Sequence, residues 1–405
     1  MFKLSESTRN APVITAFETH FDEVIADNPG FIRILHDAEL LKSSKERAKE
    51  IKSQFDHMIV LGVGGSSLGG KAIAQAFDCK DKISFFENLD SYSFDREIKK
   101  LKDLKKIHWV AISKSGGTLE TLAQLQFVHE FYQKQNLDLT KQMTVVTETG
   151  GLPSNGLYKW AVNNKIPVLQ IPEDVGGRFS VLTPVGMFPA AFAGLEVDGF
   201  IDGAKEALKN KKSLVEFCSQ IATSFEKKEW ITILWIYSES LKTFGLWFQQ
   251  LWAESLAKKK TWDGNPAPRV STPVMMLGSN DQHSMLQQVM DGEKDKFVIF
   301  MRSDREENYG DKLGTVFFKD FKFLLNESMG KLFKAQAIGT QAALKQEGIE
   351  SLTIQLTKFD EEDLGSLFFY FEMVTAMLGK YHNINAYDQP GVELSKHLTL
   401  NQLKV

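Results

Sequence analysis

The sequence Met58-Ile-Val-Leu-Gly-Val-Gly-Gly-Ser-Ser-Leu-Gly-Gly-Lys71 contains a short apolar run followed by five glycines and two serines. The apolar run at 58–61 predicts a buried strand, and residues 72–77 have helical character again. Glycines let backbone N–H groups approach a ligand, and the N-terminus of a helix favours negative charge. We therefore predict an α/β protein with a phosphate site between this strand and the next helix. A tight turn without a ligand is the alternative.

Two nucleotide-binding patterns nearly match this stretch, but each lacks one residue. Gly65, Gly70 and Lys71 have the spacing of a P-loop, yet Ala72 stands where a magnesium-binding Ser or Thr is needed. In the dinucleotide fingerprint, Ser67 occupies the position of the third glycine. A phosphate carried by a small metabolite fits without a missing part.

Composition limits the possible classes of protein. The 405 residues are enough for two domains with sizeable cores, and 43% hydrophobic with 25% charged residues is ordinary for a globular protein. A net charge of −4 gives no reason to expect nucleic acid or an acidic membrane as partner. Two cysteines exclude a disulfide framework, and the N-terminus has no signal-peptide core. We expect a cytoplasmic protein without a membrane-spanning segment. The three lysines at 258–260 are interpreted as a solvated helix end.

From residue 57 onward, apolar strand patterns alternate with helical ones, which is typical of parallel sheets buried on both faces. We predict strands at 57–61, 83–86, 107–112, 143–147 and 167–171, and a second series at 230–237, 274–277, 297–302 and 352–356. The fold class is thus α/β, with two tandem doubly wound, flavodoxin-like parallel-sheet domains and helical N- and C-terminal arms. The predicted divisions are a helical arm at 1–50, domains at 51–200 and 201–385, and a C-terminal loop and helix at 386–405.

A second hydroxyl-rich loop follows the predicted strand 107–112. It reads Ser113-Lys-Ser-Gly-Gly-Thr-Leu-Glu-Thr121 and opens a helix over 119–134. Ser113, Ser115 and Thr118 can donate hydrogen bonds to phosphate oxygens. Ligands of open α/β sheets bind beyond the carboxyl ends of the strands, so this loop predicts a second part of a phosphate site. An ordinary helix cap is the alternative.

Other stretches carry residues suited to acid–base chemistry. Gly176 and Gly177 precede Arg178, whose guanidinium can stabilise an anion, although a structural arginine would look the same. Gln250 and Glu254 lie four apart on a predicted helix over 241–258, among apolar neighbours. Such neighbours would raise the pKa of the Glu254 carboxyl and suit it to act as a general base, whereas a solvated glutamate is the plainer interpretation.

Two more candidates lie near the ends of predicted elements. His283 follows the strand at 274–277, with no second His or Cys at metal-ligand spacing, so acid–base work is favoured over metal binding. Lys396 would lie about one turn into a C-terminal helix, after Gln389.

Together these stretches resemble the glucose-6-phosphate isomerase (phosphoglucose isomerase) family over residues 55–400. Two regions match that family's signatures: 173–186, with Gly-Gly-Arg-Phe-Ser, and 387–396, with Gln-x-Gly-Val-Glu-x-x-Lys. Gly-Gly-Ser-Ser-Leu-Gly at 64–69, Ser113-Lys-Ser, Glu254-Ser255 and Asn280-Asp-Gln-His283 follow in the family's order. After Ser255 the chain reads Leu-Ala-Lys-Lys-Lys, where relatives frequently have Gly-Lys. The family fold is a pair of sugar-isomerase domains.

The resemblance implies an enzyme that interconverts glucose 6-phosphate and fructose 6-phosphate through a cis-enediol(ate), in glycolysis and gluconeogenesis. It implies Glu254 as the base, Arg178 as the stabiliser of the enediolate, and Lys396 with His283 as the ring-opening pair. The implied substrate-binding residues are Gly65, Ser66, Ser113, Lys114, Ser115, Thr118, Gly177, Gln250 and Gln389. It implies no metal or organic cofactor.

In this family the histidine comes from the neighbouring subunit, so the resemblance also implies a homodimer with His283 donated across the interface. Three alternatives stay open. They are a two-headed isomerase that also uses mannose 6-phosphate, a non-catalytic sugar-phosphate sensor and a P-loop kinase. Residues 1–55 show no basic recognition helix for a sensor, and Ala72 opposes a kinase.

Overall fold

The computed structural model describes residues 2–5, 14–150 and 155–403. The strands are β1 Lys3–Ser5, β2 His57–Leu61, β3 Ile83–Phe86, β4 Ile107–Ile112, β5 Met143–Thr147, β6 Val168–Gln170, β7 Ile231–Ile236, β8 Thr272–Leu277, β9 Lys296–Ser303 and β10 Ser351–Leu356. The helices are α1 Ala16–Asp27, α2 Gly30–Arg33, α3 Ala38–Lys52, α4 Leu68–Ala76, α5 Ser91–Lys100, α6 Leu119–Lys134, α7 Gly156–Asn163, α8 Pro184–Ala193, α9 Val197–Lys209, α10 Lys211–Glu226, α11 Lys242–Leu256, α12 Leu286–Asp291, α13 Asp304–Asn308, α14 Met329–Gln346, α15 Glu361–Tyr381 and α16 Glu393–Leu403.

Two five-stranded sheets organise these elements. The first has the order β3-β2-β4-β5-β6, and all of its neighbouring strands are parallel. The second has the order β1-β10-β9-β7-β8, and its strands are parallel except for β1. The predicted α/β class with two parallel sheets is confirmed, and all nine predicted strands are present. The predicted domain boundaries stay predictions.

Both faces of the first sheet are buried, which explains its continuous apolar strands. Met58 and Val60 of β2 pack into one hydrophobic cluster, whereas Ile59 and Leu61 pack into a second one. Successive side chains of a strand point to opposite faces, so a strand covered on both sides is apolar at most positions. The second sheet repeats this arrangement, with Leu234 in one cluster and Trp235 in another.

The N-terminal region differs from the helical arm that we expected. Lys3–Ser5 forms the edge strand β1, which pairs antiparallel with β10 and so joins the second sheet. Helix α1 packs against α10 and α15, while α3 packs against α8. Three residues are too few for a recognisable strand pattern, and their partner strand lies some 350 positions away along the chain. The residues 6–13 between β1 and α1 lie outside the described part of the chain.

Helix α4 begins earlier than expected, at Leu68, so that Gly69 and Gly70 belong to the helix and not to the loop. A Cβ atom at Gly69 would stand 2.8 Å from the Cβ of Val181, and α4 packs closely on α8. This glycine therefore serves helix packing. The glycine-rich turn after β2 is confined to Gly64–Ser66.

Candidate active site

Two glycine-rich turns meet at the carboxyl end of the first sheet. The 3-10 turn Gly64–Ser66 follows β2, and it packs on the 3-10 turn Gly177–Phe179. A Cβ atom at Gly65 would stand only 2.6 Å from the backbone nitrogen of Arg178. Glycine at 65 thus lets the first loop touch the segment that carries Arg178.

The hydroxyl-rich loop after β4 is held in shape by its own polar groups. The hydroxyl groups of Ser113 and Thr118 are 2.8 Å apart, and Thr147 donates to the carbonyl oxygen of Ser113 at 2.6 Å. The Lys114 ammonium donates to the carbonyl oxygen of Glu173 at 2.6 Å, so it ties this loop to the segment that precedes Arg178. The exposed Ser115 accepts from the backbone N–H of Gly117 at 3.3 Å.

Arg178 is the centre of the hydrogen-bonded cluster, and its side chain is only 1% exposed. Nε donates to Ser255 Oγ at 2.7 Å, and Nη1 donates to Gln389 Oε1 at 3.0 Å and to Glu254 Oε2 at 3.4 Å. Nη2 donates to the carbonyl oxygens of Ala386 at 2.7 Å and of Asp388 at 2.9 Å. Burial lowers the pKa of this guanidinium, while the nearby Glu254 and Asp388 raise it.

Glu254 lies in the last turn of α11, where two donors hold its carboxylate. Besides Arg178 at Oε2, Gln250 Nε2 donates to Oε1 at 3.1 Å. Its side chain is 32% exposed, and the apolar neighbours Leu251 and Trp252 are turned into the core. The expectation that apolar side chains surround this carboxylate is therefore wrong. The helix places the polar and apolar neighbours of Glu254 on different faces.

Helix α11 is aligned with the first sheet by a glutamine of α4. Gln75 Oε1 accepts from the Thr243 backbone N–H at 2.9 Å, and its Nε2 donates to the carbonyl oxygen of Glu239 at 2.9 Å. Since α4 starts directly after the turn Gly64–Ser66, this contact couples the helix that carries Glu254 to that turn. A cavity of about 1030 Å³ adjoins the cluster, and Glu254, Lys258 and Gln389 are among its lining residues.

The predicted site residues are brought together only in part. Arg178, Glu254, Gln250 and Gln389 share one hydrogen-bonded cluster, and Gly65 contacts the turn that contains Arg178.

Of the four predicted catalytic residues, two lie outside the cluster. His283 is exposed in the turn after β8, and its imidazole makes no hydrogen bond within the described residues. Lys396 is 61% exposed on α16 and pairs with Glu393 at 2.8 Å.

Sequence reasoning missed Lys258, for which the interpretation as a solvated helix end is wrong. Its side chain is 5% exposed, and its ammonium group contacts Glu254 and Asp388 through oxygens of both residues. It also left Ser255 without a role, although this residue orients Arg178. A lysine next to two other lysines gives no local sign that its side chain is buried.

Within the part of the chain that the structure describes, no helix is long and apolar enough to cross a membrane. The same residues contain no cluster of three or more His, Cys, Asp or Glu side chains that could hold a metal ion.

Comparison with known proteins places the chain among sugar-phosphate isomerases. The family model described as phosphoglucose isomerase matches residues 33–404. A glucose-6-phosphate isomerase of Campylobacter jejuni is 31% identical, with 94% of each chain covered. A probable glucose-6-phosphate isomerase of Methanococcus maripaludis is also 31% identical, over 91% of this chain and 83% of that one.

Solved structures agree in fold. A hypothetical protein from Thermus thermophilus superposes with a TM-score of 0.89 at 28% identity, and the match covers 100% of both chains. A glucose-6-phosphate isomerase from Chlamydia trachomatis has a TM-score of 0.76 at 22% identity, over 97% of this chain and 78% of that one.

Proposed function

Since the chain belongs to the phosphoglucose isomerase family, it interconverts glucose 6-phosphate and fructose 6-phosphate. We propose that the cluster around Arg178 transfers the proton that moves between C2 and C1 of the sugar in this reaction. The observation that carries this assignment is the contact of the buried Arg178 with both Glu254 and Gln389. A carboxylate base, a fixed cation and an amide that can bind a sugar hydroxyl then lie in one hydrogen-bonded group. The reaction is a step of glycolysis and gluconeogenesis.

In this mechanism Glu254 removes the proton from C2 of the open-chain aldose. The electrons of the C2–H bond form a C1–C2 double bond, and the negative charge passes to O1. The guanidinium of Arg178 stabilises this charge, because it is already held in place before the charge develops. The hydroxyl proton moves from O2 to O1, and Glu254 returns its proton to C1. All hydrogen and electrons stay within the substrate, so the step needs no external oxidant.

Gln250 has a free acceptor that suits a substrate hydroxyl. Its Nε2 is used by Glu254, whereas its buried Oε1 has no partner among the described residues. A buried carbonyl oxygen without a donor is costly, and a sugar hydroxyl would remove that cost when the substrate binds. The glutamine would then orient both the base and the sugar.

The phosphate group is bound, in this proposal, by the loops at the carboxyl end of the first sheet. The proposed residues are Gly65, Ser66, Ser113, Lys114, Ser115, Thr118 and Gly177. Support comes from the contact between the turns Gly64–Ser66 and Gly177–Phe179, and from Thr118 at the N-terminal cap of α6. Backbone N–H groups at such a terminus attract an anion.

A homodimer would complete the site with His283 from the partner. The support is that His283 and Lys396 lie outside the cluster in a single chain, while the rest of the machinery is assembled. An exposed apolar segment between α13 and α14 also favours an interface, since Phe317, Phe318 and Phe323 are 90%, 69% and 66% exposed.

The cytoplasmic location stays a prediction.

The experiment that tests the function measures both sugar phosphates directly by NMR, with EDTA present and without nucleotide. We expect fructose 6-phosphate to convert to the equilibrium mixture with glucose 6-phosphate. Mannose 6-phosphate serves as a second substrate, because comparable turnover would identify a two-headed isomerase. A chain that binds sugar phosphate, as seen from its raised melting temperature, without converting it would overturn the proposal.

A further inference from the structure

Lys258 is buried at the junction of two elements that carry proposed active-site residues. It follows the C-terminal end of α11, four positions after Glu254, and its side chain is 5% exposed. Lysine is almost never buried to this degree unless its ammonium group has partners. The neighbouring Lys259 is exposed, so burial here is a property of one position in the run 258–260.

The Lys258 ammonium has partners on both elements. It donates to the backbone carbonyl oxygen of Glu254 at 2.7 Å, which belongs to the last turn of α11. It also donates to the backbone carbonyl oxygen of Asp388 at 2.5 Å and pairs with Asp388 Oδ1 at 3.1 Å. The last carbonyl groups of a helix lack partners within the helix, and a cation at this end is favourable.

Arg178 also donates hydrogen bonds to the segment that contains Asp388. The carbonyl oxygen of Asp388 accepts from Lys258 and from Arg178, and Arg178 also binds Gln389 Oε1. Burial lowers the pKa of the Lys258 ammonium, the hydrogen bond to Asp388 raises it, and the charge of Arg178 lowers it. Two cations thus converge on one backbone turn, next to the carboxylate that they flank.

We propose that Lys258 is a positioning residue for proton transfer, which holds the end of α11 against the segment 386–389. In this role Lys258 acts through the backbone at Glu254 and Asp388, although its side chain also lines the adjoining cavity. Its contacts fix the backbone at Glu254 and at Asp388, so that the carboxylate of Glu254 and the amide of Gln389 keep their places on either side of Arg178. This inference rests on the proposed function of Glu254.

The test compares Lys258→Met with Lys259→Met in the full-length protein. Methionine keeps a long unbranched side chain in the buried slot but removes the ammonium group. Misplacing a reacting group by about 1 Å can cost ~10²-fold in rate, so we expect kcat of Lys258→Met to fall by roughly 10-fold to 10²-fold. The KM for fructose 6-phosphate should change by less than about 3-fold, since the phosphate loops are untouched. Lys259→Met should behave as wild type.

A second measurement distinguishes positioning from simple stabilisation. With glucose 6-phosphate deuterated at C2, the fraction of deuterium that reaches C1 reports how well the base retains and delivers the proton. We expect this fraction to fall in Lys258→Met. The glutamine of Lys258→Gln can still donate to one carbonyl oxygen, so its kcat and deuterium transfer should lie between those of Lys258→Met and wild type. If Lys258→Met does not fold, Lys258→Gln is the variant used for the test.

The outcomes separate this inference from the proposed function. Absence of turnover in wild type and Lys259→Met would overturn the function itself, and the role of Lys258 with it. Active controls together with a Lys258→Met kcat within about twofold of wild type would overturn the role of Lys258 alone. The role of Lys258 would also be overturned if kcat fell only in proportion to the loss of folded protein and the fraction of deuterium transferred from C2 to C1 stayed unchanged.

Discussion

Glu254 is held by one cationic and one neutral donor, and this arrangement makes its removal testable. In Glu254→Gln the side chain keeps its size and can still bond to its neighbours, but it can no longer accept a proton. General-base catalysis contributes about 10²-fold to 10⁴-fold, so we expect kcat to fall by at least ~10²-fold while the fold persists. NMR assays of fructose 6-phosphate conversion measure the rate, and thermal unfolding checks the fold.

A glutamate far from the cluster provides the control for this variant. Glu97 on α5 pairs with Lys100 at the surface, so Glu97→Gln should keep wild-type turnover. Near-normal turnover of Glu254→Gln would exclude Glu254 as the base.

Arg178 shows how one buried side chain can organise several segments. Its five hydrogen bonds reach α11 through Ser255 and Glu254, and the segment 386–389 through two carbonyl groups and Gln389. A guanidinium has five N–H donors in a fixed plane, so it can connect groups that approach from different directions. Lysine could not replace it, because one ammonium group cannot span these partners.

At the scale of elements, the close approach of two loops depends on the absence of a side chain at position 65. A methyl group there would stand 2.6 Å from the backbone nitrogen of Arg178, where only backbone could give way. We expect Gly65→Ala to destabilise the protein by about 1–3 kcal/mol and to reduce turnover, since Arg178 must move. Chemical denaturation and NMR turnover assays measure both effects.

The matched control adds the same methyl group where the structure has room. Gly339 lies inside α14, and among the described residues no atom beyond the adjacent backbone of α14 lies within 4 Å of a Cβ built there. Gly339→Ala should keep full activity and stabilise the helix by up to about 1 kcal/mol. Equal behaviour of the two variants would show that the contact between the loops is not tight.

Helix packing follows the same rule elsewhere in the molecule. Helices α9 and α15 cross where a Cβ atom at Gly365 would stand 2.5 Å from Phe200 Cα. A Cβ at Gly203 would likewise stand 2.8 Å from Glu362 Cα. These glycines let two helix backbones approach closely, so their role is in the core and not in the active site.

At the scale of the whole molecule, the assignment of His283 to the partner subunit predicts complementation. Mixed dimers of Glu254→Gln and His283→Ala chains contain one site with an intact base and an intact histidine. Random mixing makes half of the dimers mixed, so we expect about a quarter of wild-type turnover. Size-exclusion chromatography of the refolded mixture verifies that dimers have formed, and a mixture no more active than its components would contradict a shared site.

The stability of the molecule should fall in acid because of a buried histidine. Burial lowers the pKa of His108 from 6.5 to about 3, and its Nε2 lies 2.9 Å from Thr144 Oγ1. The unfolded chain therefore binds a proton that the folded one does not, and stability is lost as pH falls from 6.5 towards 3. For His108→Gln we expect the loss of unfolding free energy between pH 7 and pH 5 to shrink by roughly 2 kcal/mol.

Urea denaturation at the two pH values measures this difference. An unaltered pH dependence in His108→Gln would show that other groups cause the acid sensitivity.

The succession of strands along the chain and the polar residues of their loops could be predicted from local sequence. A parallel strand covered on both faces leaves an apolar run of four to six residues, and such runs are legible without any knowledge of distant contacts. For the same reason, the loops rich in glycine and hydroxyl groups after β2 and β4 could be recognised locally. Arg178, Gln250 and Glu254 of the candidate site were predicted, whereas the roles of Lys258 and Ser255 were not.

The groups that surround those residues could not be predicted from local sequence, because they come from distant parts of the chain. The pairing of β1 with β10, the start of α4 at Leu68 and the burial of Lys258 each depend on atoms contributed by remote parts of the chain. The environment of Glu254 also depends on them, because Arg178 approaches it across 76 positions of sequence. Local sequence specifies which side chains are present, but burial and hydrogen bonding are properties of the packed whole.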